Sequence, residues 1–347
     1  MWNSDKLLQT NDFMKKEFIK QNVGIDVSKD DFKVCFSCLT NNLQVIARGS
    51  RTFVNTHKGF EELQDWVKSK GDSALPLSFT LEATGVYYES LAYFLYGQDN
   101  CVHIVLPNQA KKYSQSLGLK SKTDKIDACT LAQMGLKQEL RIWQPISGHL
   151  LGLKQLTRER EALVRSKVTA SNHLHAYRHQ GKPNEASIVR TQKRIVFLEQ
   201  QIKQIEKEIG AFVNQDKSLK TKMEYLTSIP GVRLLTAAII VAESGGFETF
   251  ESIKQLTSYA GLDVRIQESG KWKGNNKISK QGNSHIRKAL YMPAITKITH
   301  DKTTRLFYER LAEKKGQKMI AVIAVERKLL GLMYSLWKKQ EMYNIAA

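Results

Sequence analysis

At 347 residues, with 41% hydrophobic and 25% charged residues, the chain is long enough for two domains with cores of their own and is not a disordered polymer. Lys and Arg number 53 against 34 Asp and Glu, a net charge of +19 that favours a polyanionic partner, nucleic acid first, and argues against a small-molecule enzyme. No apolar run approaches the roughly 20 residues that span a bilayer, and acids and lysines interrupt the first twenty residues where a signal peptide would be apolar, so a cytoplasmic protein with no membrane partner is expected.

After a lead of residues 1–20, Val23-Gly24-Ile25-Asp26-Val27 reads as a buried strand and Phe32 to Cys38 as a second, joined by the polar turn Ser28 to Asp31. Residues 44–54 supply a third. Thr56 is placed as an N-cap, and the spacing of Phe60, Leu63, Trp66 and Val67 predicts a helix over 57–70 that stops at Gly71 and Asp72. Leu77 to Leu81 is a fourth strand ending in Glu82-Ala83-Thr84-Gly85, a helix follows from Val86 to Tyr96, and Cys101 to Leu106 is a fifth strand halted by Pro107. A basic helical stretch with Lys111, Lys112 and Tyr113 leads through a loop at Gly118 to Lys122-Thr123-Asp124-Lys125-Ile126-Asp127-Ala128, which opens a helix through Met134.

Three antiparallel strands followed by alternating strands and helices is the chain order of the ribonuclease H fold, where metal-binding carboxylates gather at the ends of neighbouring strands. That order predicts an α/β domain over 21–147 in which Asp26, Glu82, Asp124 and Asp127 meet. Asp124 and Asp127 stand three apart on one helical face. Carboxylates so placed repel unless a cation sits between them, which suits a divalent metal, Mg²⁺ or Mn²⁺. Taken one at a time, an Asp after a strand is a common turn former and a Glu before Thr-Gly a common cap. The four cysteines, Cys35, Cys38, Cys101 and Cys129, are few and unevenly spaced and read as reduced, mostly buried thiols; Cys35-x-x-Cys38 lacks the second pair of a zinc site.

Residues 148–220 change to long helices. Ile195, Leu198, Ile202, Ile205, Ile209 and Phe212 recur at spacings of three and four, a coiled-coil seam that fits either an antiparallel hairpin or a dimer contact. His175 and His179 have the i,i+4 spacing of a metal pair, but with no third ligand a solvated or RNA-facing helix end is the preferred reading. Over 221–340, Ile229-Pro230-Gly231-Val232 resembles a helix-hairpin-helix turn whose N–H groups suit a phosphate, with a plain turn between core helices as the alternative. Phe250 to Gly261 reads as helical. Asp263 to Asn283 reads as a polar, basic, glycine-containing loop, followed by a helix from His285 and mostly helical chain to Trp337. Ser269, Ser279 and Ser284 lie in or beside that loop, and periodicity does not choose among them.

Gly24-Ile25-Asp26, Glu82-Ala83-Thr84-Gly85, the Lys122 to Ala128 stretch, Ile229 to Val232, Ala260-Gly261-Leu262, Glu268-Ser269-Gly270 and Ser279 to Asn283 together resemble the transposases of the insertion sequence 110 family, from about Val23 to Trp337. The resemblance implies a DNA recombinase in which a domain similar to Holliday-junction resolvases is joined by a coiled coil to a mainly helical C-terminal transposase domain. It implies that Asp26, Glu82, Asp124 and Asp127 bind Mg²⁺ or Mn²⁺ and that Ser269 becomes covalently attached to DNA. It further implies a homo-oligomer, dimer or tetramer, that pairs the resolvase-like domain of one subunit with the serine-bearing domain of another, and a structured non-coding guide RNA that bridges donor and target DNA. Lys122, Lys125, Gly231, Arg265, Lys271, Lys273, Lys280 and Arg287 are the candidate nucleic-acid contacts. The rival readings are a metal-dependent junction resolvase or nuclease that uses water, and a non-catalytic nucleic-acid-binding protein.

Overall fold

The computed structural model describes residues 17–119, 121, 123–270, 272–274 and 277–344. The chain forms two compact units, one running to Pro145 and one beginning at Ile146.

The first unit is built on a five-stranded mixed sheet of order β3-β2-β1-β4-β5. Its strands are β1 (Phe18–Val27), β2 (Asp31–Thr40), β3 (Val45–Val54), β4 (Leu77–Glu82) and β5 (Cys101–Val105). β1, β2 and β3 pair antiparallel, whereas β1 with β4 and β4 with β5 are parallel. Among the described residues four helices complete it: α1 (His57–Lys70), α2 (Glu89–Gly97), α3 (Pro107–Ser116) and α4 (Asp124–Lys137).

Period-two alternation divides the strands between the two sides of the sheet. Val23, Ile25, Phe32, Val34, Phe36, Phe79 and Leu81 share a buried cluster with Phe60, Leu63 and Val67 of α1 and Leu91 and Leu95 of α2. The opposite face carries Asn22, Gly24 and Asp26 on β1 and Ser78, Thr80 and Glu82 on β4, and there α4 lies almost against the backbone. A Cβ on Gly24 would stand 2.0 Å from the Ala128 carbonyl oxygen and 2.2 Å from the Ala132 nitrogen. One on Gly135 would stand 2.3 Å from both Asn22 Nδ2 and Thr80 Oγ1. Only glycine fits at either position.

The cap at Thr56, which accepts from the Gly59 amide, and the α1 bounds agree with the sequence. α4 opens at the acidic stretch as expected, and the structure adds its cap, Thr123, which accepts from the Ile126 amide. The helix expected from Val86 begins at Glu89. The cysteine expectation is corrected: Cys35 on β2 and Cys129 on α4 form a disulfide, while Cys38 and Cys101 are free. Ninety-four residues separate the bonded pair along the chain. They meet because glycine and alanine let α4 approach the sheet, a contact that sequence spacing does not express.

The second unit is mainly helical. Its helices are α5 (Gly148–Arg178), α6 (Glu185–Gln215), α7 (Lys217–Thr227), α8 (Leu234–Ser244), α9 (Ile253–Tyr259), α10 (Ser284–His300), α11 (Lys302–Lys315) and α12 (Lys318–Lys339). α5 and α6 form an antiparallel hairpin, since ion pairs join Arg160 to Glu206 and Lys167 to Glu199 in opposite chain directions. The core gathers round α8, where Ala237, Ala238, Ile240, Val241 and Ala242 are fully buried against Leu329, Leu330 and Met333 of α12. Among the described residues no helix is long and apolar enough to cross a membrane.

The stretch from Asp263 to Asn283, expected as a loop, contains two short antiparallel ribbons and is corrected accordingly. β6 (Val264–Arg265) pairs with β9 (Lys277–Ile278), and β7 (Glu268–Ser269) pairs with β8 (Trp272–Lys273). Two-residue strands are too short to express an alternating pattern, so glycine and charge dominated the sequence signal.

Candidate active site and nucleic-acid interface

Asp26 and Glu82 each lie one residue beyond Ile25 and Leu81, the last paired residues of the parallel β1–β4 ladder. They therefore stand at the carboxyl ends of adjacent strands, on the face that α4 covers. α4 runs antiparallel to β1: Gly135 sits over Asn22, Ala132 and Ala128 over Gly24, and one further turn toward its start brings Asp127 and Asp124 to the Asp26 end. The four acids are thus delivered to one end of one sheet face. Asp26, Glu82 and Asp127 are half-buried and Asp124 is exposed.

Lys33 is the residue that sequence reasoning missed. It faces Asp26 across the β1–β2 ladder and its ammonium makes an ion pair with Asp124. The hydrogen bond to Asp124 is the main cause that raises the Lys33 pKa, with the charges of Asp124, Asp31 and Asp26 adding to it. Glu82 accepts from the Thr84 hydroxyl at 2.9 Å. Among the described residues no three Asp, Glu, His or Cys side chains stand grouped to hold a metal ion. The donor set nevertheless fits a hard divalent cation: it is all carboxylate, and the acidic end already draws a cation in the form of Lys33. For an ion to enter, Lys33 and Asp124 must separate.

Lys125 is exposed on α4. Lys122 and Lys271 fall outside the described residues, as does the Lys273 side chain. His175 and His179 stack ring on ring at 4.2 Å, and His179 Nδ1 lies 2.7 Å from the His175 carbonyl oxygen, a local arrangement at a helix end. Gly231 has φ +89°, and a Cβ there would crowd Thr296 and the Pro293 carbonyl of α10, so its turn is backed by that helix.

In the second unit Ser269 is exposed on β7, directly across from Trp272. Of the other two serines, Ser279 donates its hydroxyl to Asp263 at 2.5 Å, and Ser284 is the first residue of α10. The ribbon segment is braced at both ends. Arg287 donates to the Ala260 and Gly282 carbonyls at 2.7 and 3.2 Å, and Asn283 donates from Nδ2 to the buried Glu243 at 2.7 Å. Arg158 meets the same carboxylate through two nitrogens. Burial pushes Glu243 up, but the bonds from Arg158 and Asn283 outweigh it and hold the carboxyl below its usual range. Glu161 likewise is raised by burial and brought down to about 2 by Lys288 and His285. These networks join α5 and α8 to the start of α10, where the ribbon segment ends. No local motif announces them, because Arg158, Glu243 and Asn283 are far apart in sequence.

Glu326, buried on α12, is pushed up to about 7 by burial, with the Arg287 charge opposing. An acid whose folded pKa exceeds its unfolded value of about 4.3 holds its proton in the folded state across that window, so its contribution to stability falls as pH rises from about 4.3 through 7. Glu326→Gln is expected to leave thermal stability nearly unchanged at pH 5 and to raise it at pH 8 by on the order of 2 kcal/mol. Equal melting-temperature changes at the two pH values would contradict that placement.

The first unit thus carries carboxylates at one end of a mixed sheet and the second an exposed serine on a ribbon, in a chain of net charge +19. A family model described as a DEDD-type transposase matches residues 23–183, and one described as Transposase IS116/IS110/IS902 family matches residues 223–309. The chain is 31% identical to a pilin gene-inverting protein of Moraxella lacunata over 94% of this chain and 98% of that one. It is 25% identical to a transposase for insertion sequence element IS1111A of Coxiella burnetii, over 70% and 73% of the two chains. A solved Ppx/GppA family member from Aquifex aeolicus aligns over 91% of each chain at 9% identity with a TM-score of 0.23, too low to bear on the fold. The chain belongs to the IS110 family of transposases.

Proposed function

We propose that this transposase cuts and exchanges DNA strands through a covalent phosphoserine intermediate, with Ser269 as nucleophile and Asp26, Glu82, Asp124 and Asp127 as the ligands of Mg²⁺ or Mn²⁺. The observation that carries the proposal is the delivery of all four acids to one end of one sheet face by parallel strands and an antiparallel helix. On this reading residues 21–147 are a ribonuclease H-like, resolvase-like domain, 148–220 a coiled-coil region and 221–340 the serine-bearing transposase domain. When bound, a divalent ion supplies positive charge to a phosphate oxygen and lowers the barrier to attack.

The chain's own residues do the rest. Ser269 is presented on a short ribbon that is solvent-exposed and anchored through Asn283 and Arg287, so its Oγ can meet a phosphodiester. A serine hydroxyl is a weak nucleophile at neutral pH and must lose its proton as the Oγ–P bond forms. The P–O bond to one deoxyribose breaks in the same exchange, and the departing oxygen takes up a proton. Reversal with a different strand's hydroxyl releases the serine and rejoins DNA, so no bond energy is lost to water. The proposal extends to an oligomer in which one copy supplies the acids and another the serine.

A structured RNA transcribed from the element would specify donor and target, and the excess of 19 positive charges suits holding both nucleic acids. Nucleic acid that copurifies with the protein, once sequenced, is expected to contain one discrete structured RNA. Random fragments alone would contradict the guided reading and leave charge-driven binding.

A further inference from the structure

Beside the Ser269 ribbon, β6, β9, the end of α11 and the first half of α12 enclose a cavity of about 750 Å³. Four cations, Lys277, Lys280, Lys315 and Arg327, line it, and no acid is among the described residues that do. None of the four is in an ion pair with a described residue, in contrast to the paired arginines and lysines of α5 and α10. Val264, Ile278, Met319, Ile320 and Ile323 form its apolar walls. Arg265 stands directly opposite Lys277 across the β6–β9 ribbon, a like-charge pair that costs stability unless an anion lies between or beside it. α12 starts at Lys318 with no side-chain cap, and its first-turn residues Met319 and Ile320 line the cavity, adding the partial positive charge of a helix start.

Cations beside apolar walls match one ligand chemistry: a phosphate backbone carrying an unstacked base. A duplex keeps its bases covered and could use only the charges, whereas an unpaired nucleotide uses both. The cavity is also tied to the candidate nucleophile. Trp272, directly across from Ser269, is 60% exposed, and its ring lies against Gly274, which lines the cavity. An exposed indole at the rim is a platform on which a base stacks.

We infer that this cavity binds an unpaired DNA nucleotide and its flanking phosphates, with Trp272 stacking on a neighbouring base. Its position next to the reacting phosphodiester rests on Ser269 being the nucleophile; the binding itself does not. The four cations grip the phosphates, and the Ile278, Ile320 and Ile323 wall receives the base. Strand exchange passes through unpaired DNA, and this cavity holds the strand open beside the serine.

The test uses the full chain and a fluorescein-labelled 20-nucleotide single-stranded DNA, its duplex, and an RNA of the same sequence, read by fluorescence anisotropy against salt. Lys315→Ala with Arg327→Ala is expected to weaken single-stranded DNA binding at least tenfold and to reduce the salt slope by about 1.4, two contacts at about 0.7 each. Lys58→Ala with Lys68→Ala, exposed on α1, removes the same charge and is expected to change affinity by less than twofold. Trp272→Ala, at an exposed position that the fold does not need, is expected to lower single-strand affinity about fivefold and leave duplex affinity unchanged. Equal losses in the two lysine-containing pairs, equal losses for single strand and duplex, or losses confined to RNA would each overturn the assignment. Ser269→Ala separates the two readings: retained binding with adducts still forming would remove the nucleophile and leave the cavity standing, whereas lost adducts with single-strand binding indifferent to Lys315, Arg327 and Trp272 would do the reverse.

Discussion

Ser269→Ala should abolish covalent protein–DNA adducts, with strand exchange falling at least about 10³-fold, while DNA affinity stays within about twofold of the parent protein. The hydroxyl is exposed on β7 and makes no hydrogen bond with a described residue, so its removal costs little structure. The chemistry depends on it wholly, because no other atom of that side chain can attack phosphorus. Ser279 is a poor substitute, since its hydroxyl is engaged by Asp263. Denaturing gels of protein mixed with labelled DNA provide the readout. Adducts that survive in the variant would move the nucleophile elsewhere. DNA cleaved at an undiminished rate without any adduct would instead identify a nuclease that uses water.

The second large effect lies away from any reacting atom. Gly24→Val should destabilise the first unit by more than about 3 kcal/mol and abolish activity. A Cβ at this position meets the Ala128 carbonyl and the Ala132 nitrogen at distances that no side-chain rotation can relieve, because both are helix backbone. α4 must lift from β1, and with it go Asp124 and Asp127. The same lift strains the Cys35–Cys129 link between β2 and α4. Thermal unfolding followed by circular dichroism is expected to show a lowered transition. A melting temperature unchanged within a degree would mean that α4 does not press on β1 as described.

Much of the first unit was legible because its signals are local. Short apolar runs marked the strands, Thr56 marked a helix start with a side chain that caps it, and the acidic stretch from Lys122 marked another. Gly24 in Gly-Ile-Asp was readable as a motif, yet its reason, a helix backbone pressed on a strand, is a contact across more than a hundred residues. Lys33 went unnoticed for the same cause: a lysine in a strand is ordinary until its cross-strand and helix neighbours prove to be Asp26 and Asp124. The disulfide and the Arg158, Glu243 and Asn283 network are also non-local, and the small number and uneven spacing of the cysteines pointed the wrong way for Cys35 and Cys129. In the ribbon segment glycines and charges hid strands two residues long. Fold order and motif together singled out Asp26, Glu82, Asp124 and Asp127 in the sequence; the strand register adds that Asp26 and Glu82 follow the last paired residues of neighbouring parallel strands, which spacing alone does not give.

Mn²⁺ binding to the intact protein, followed by electron paramagnetic resonance, tests the grouping of the acids most directly. The parent chain is expected to bind the ion, and Asp26→Asn and Asp124→Asn should each weaken that binding at least about tenfold with the melting temperature preserved, since each removes one anionic oxygen donor from the same place. Affinity unchanged in both variants would contradict a shared ion site at the ends of β1 and β4.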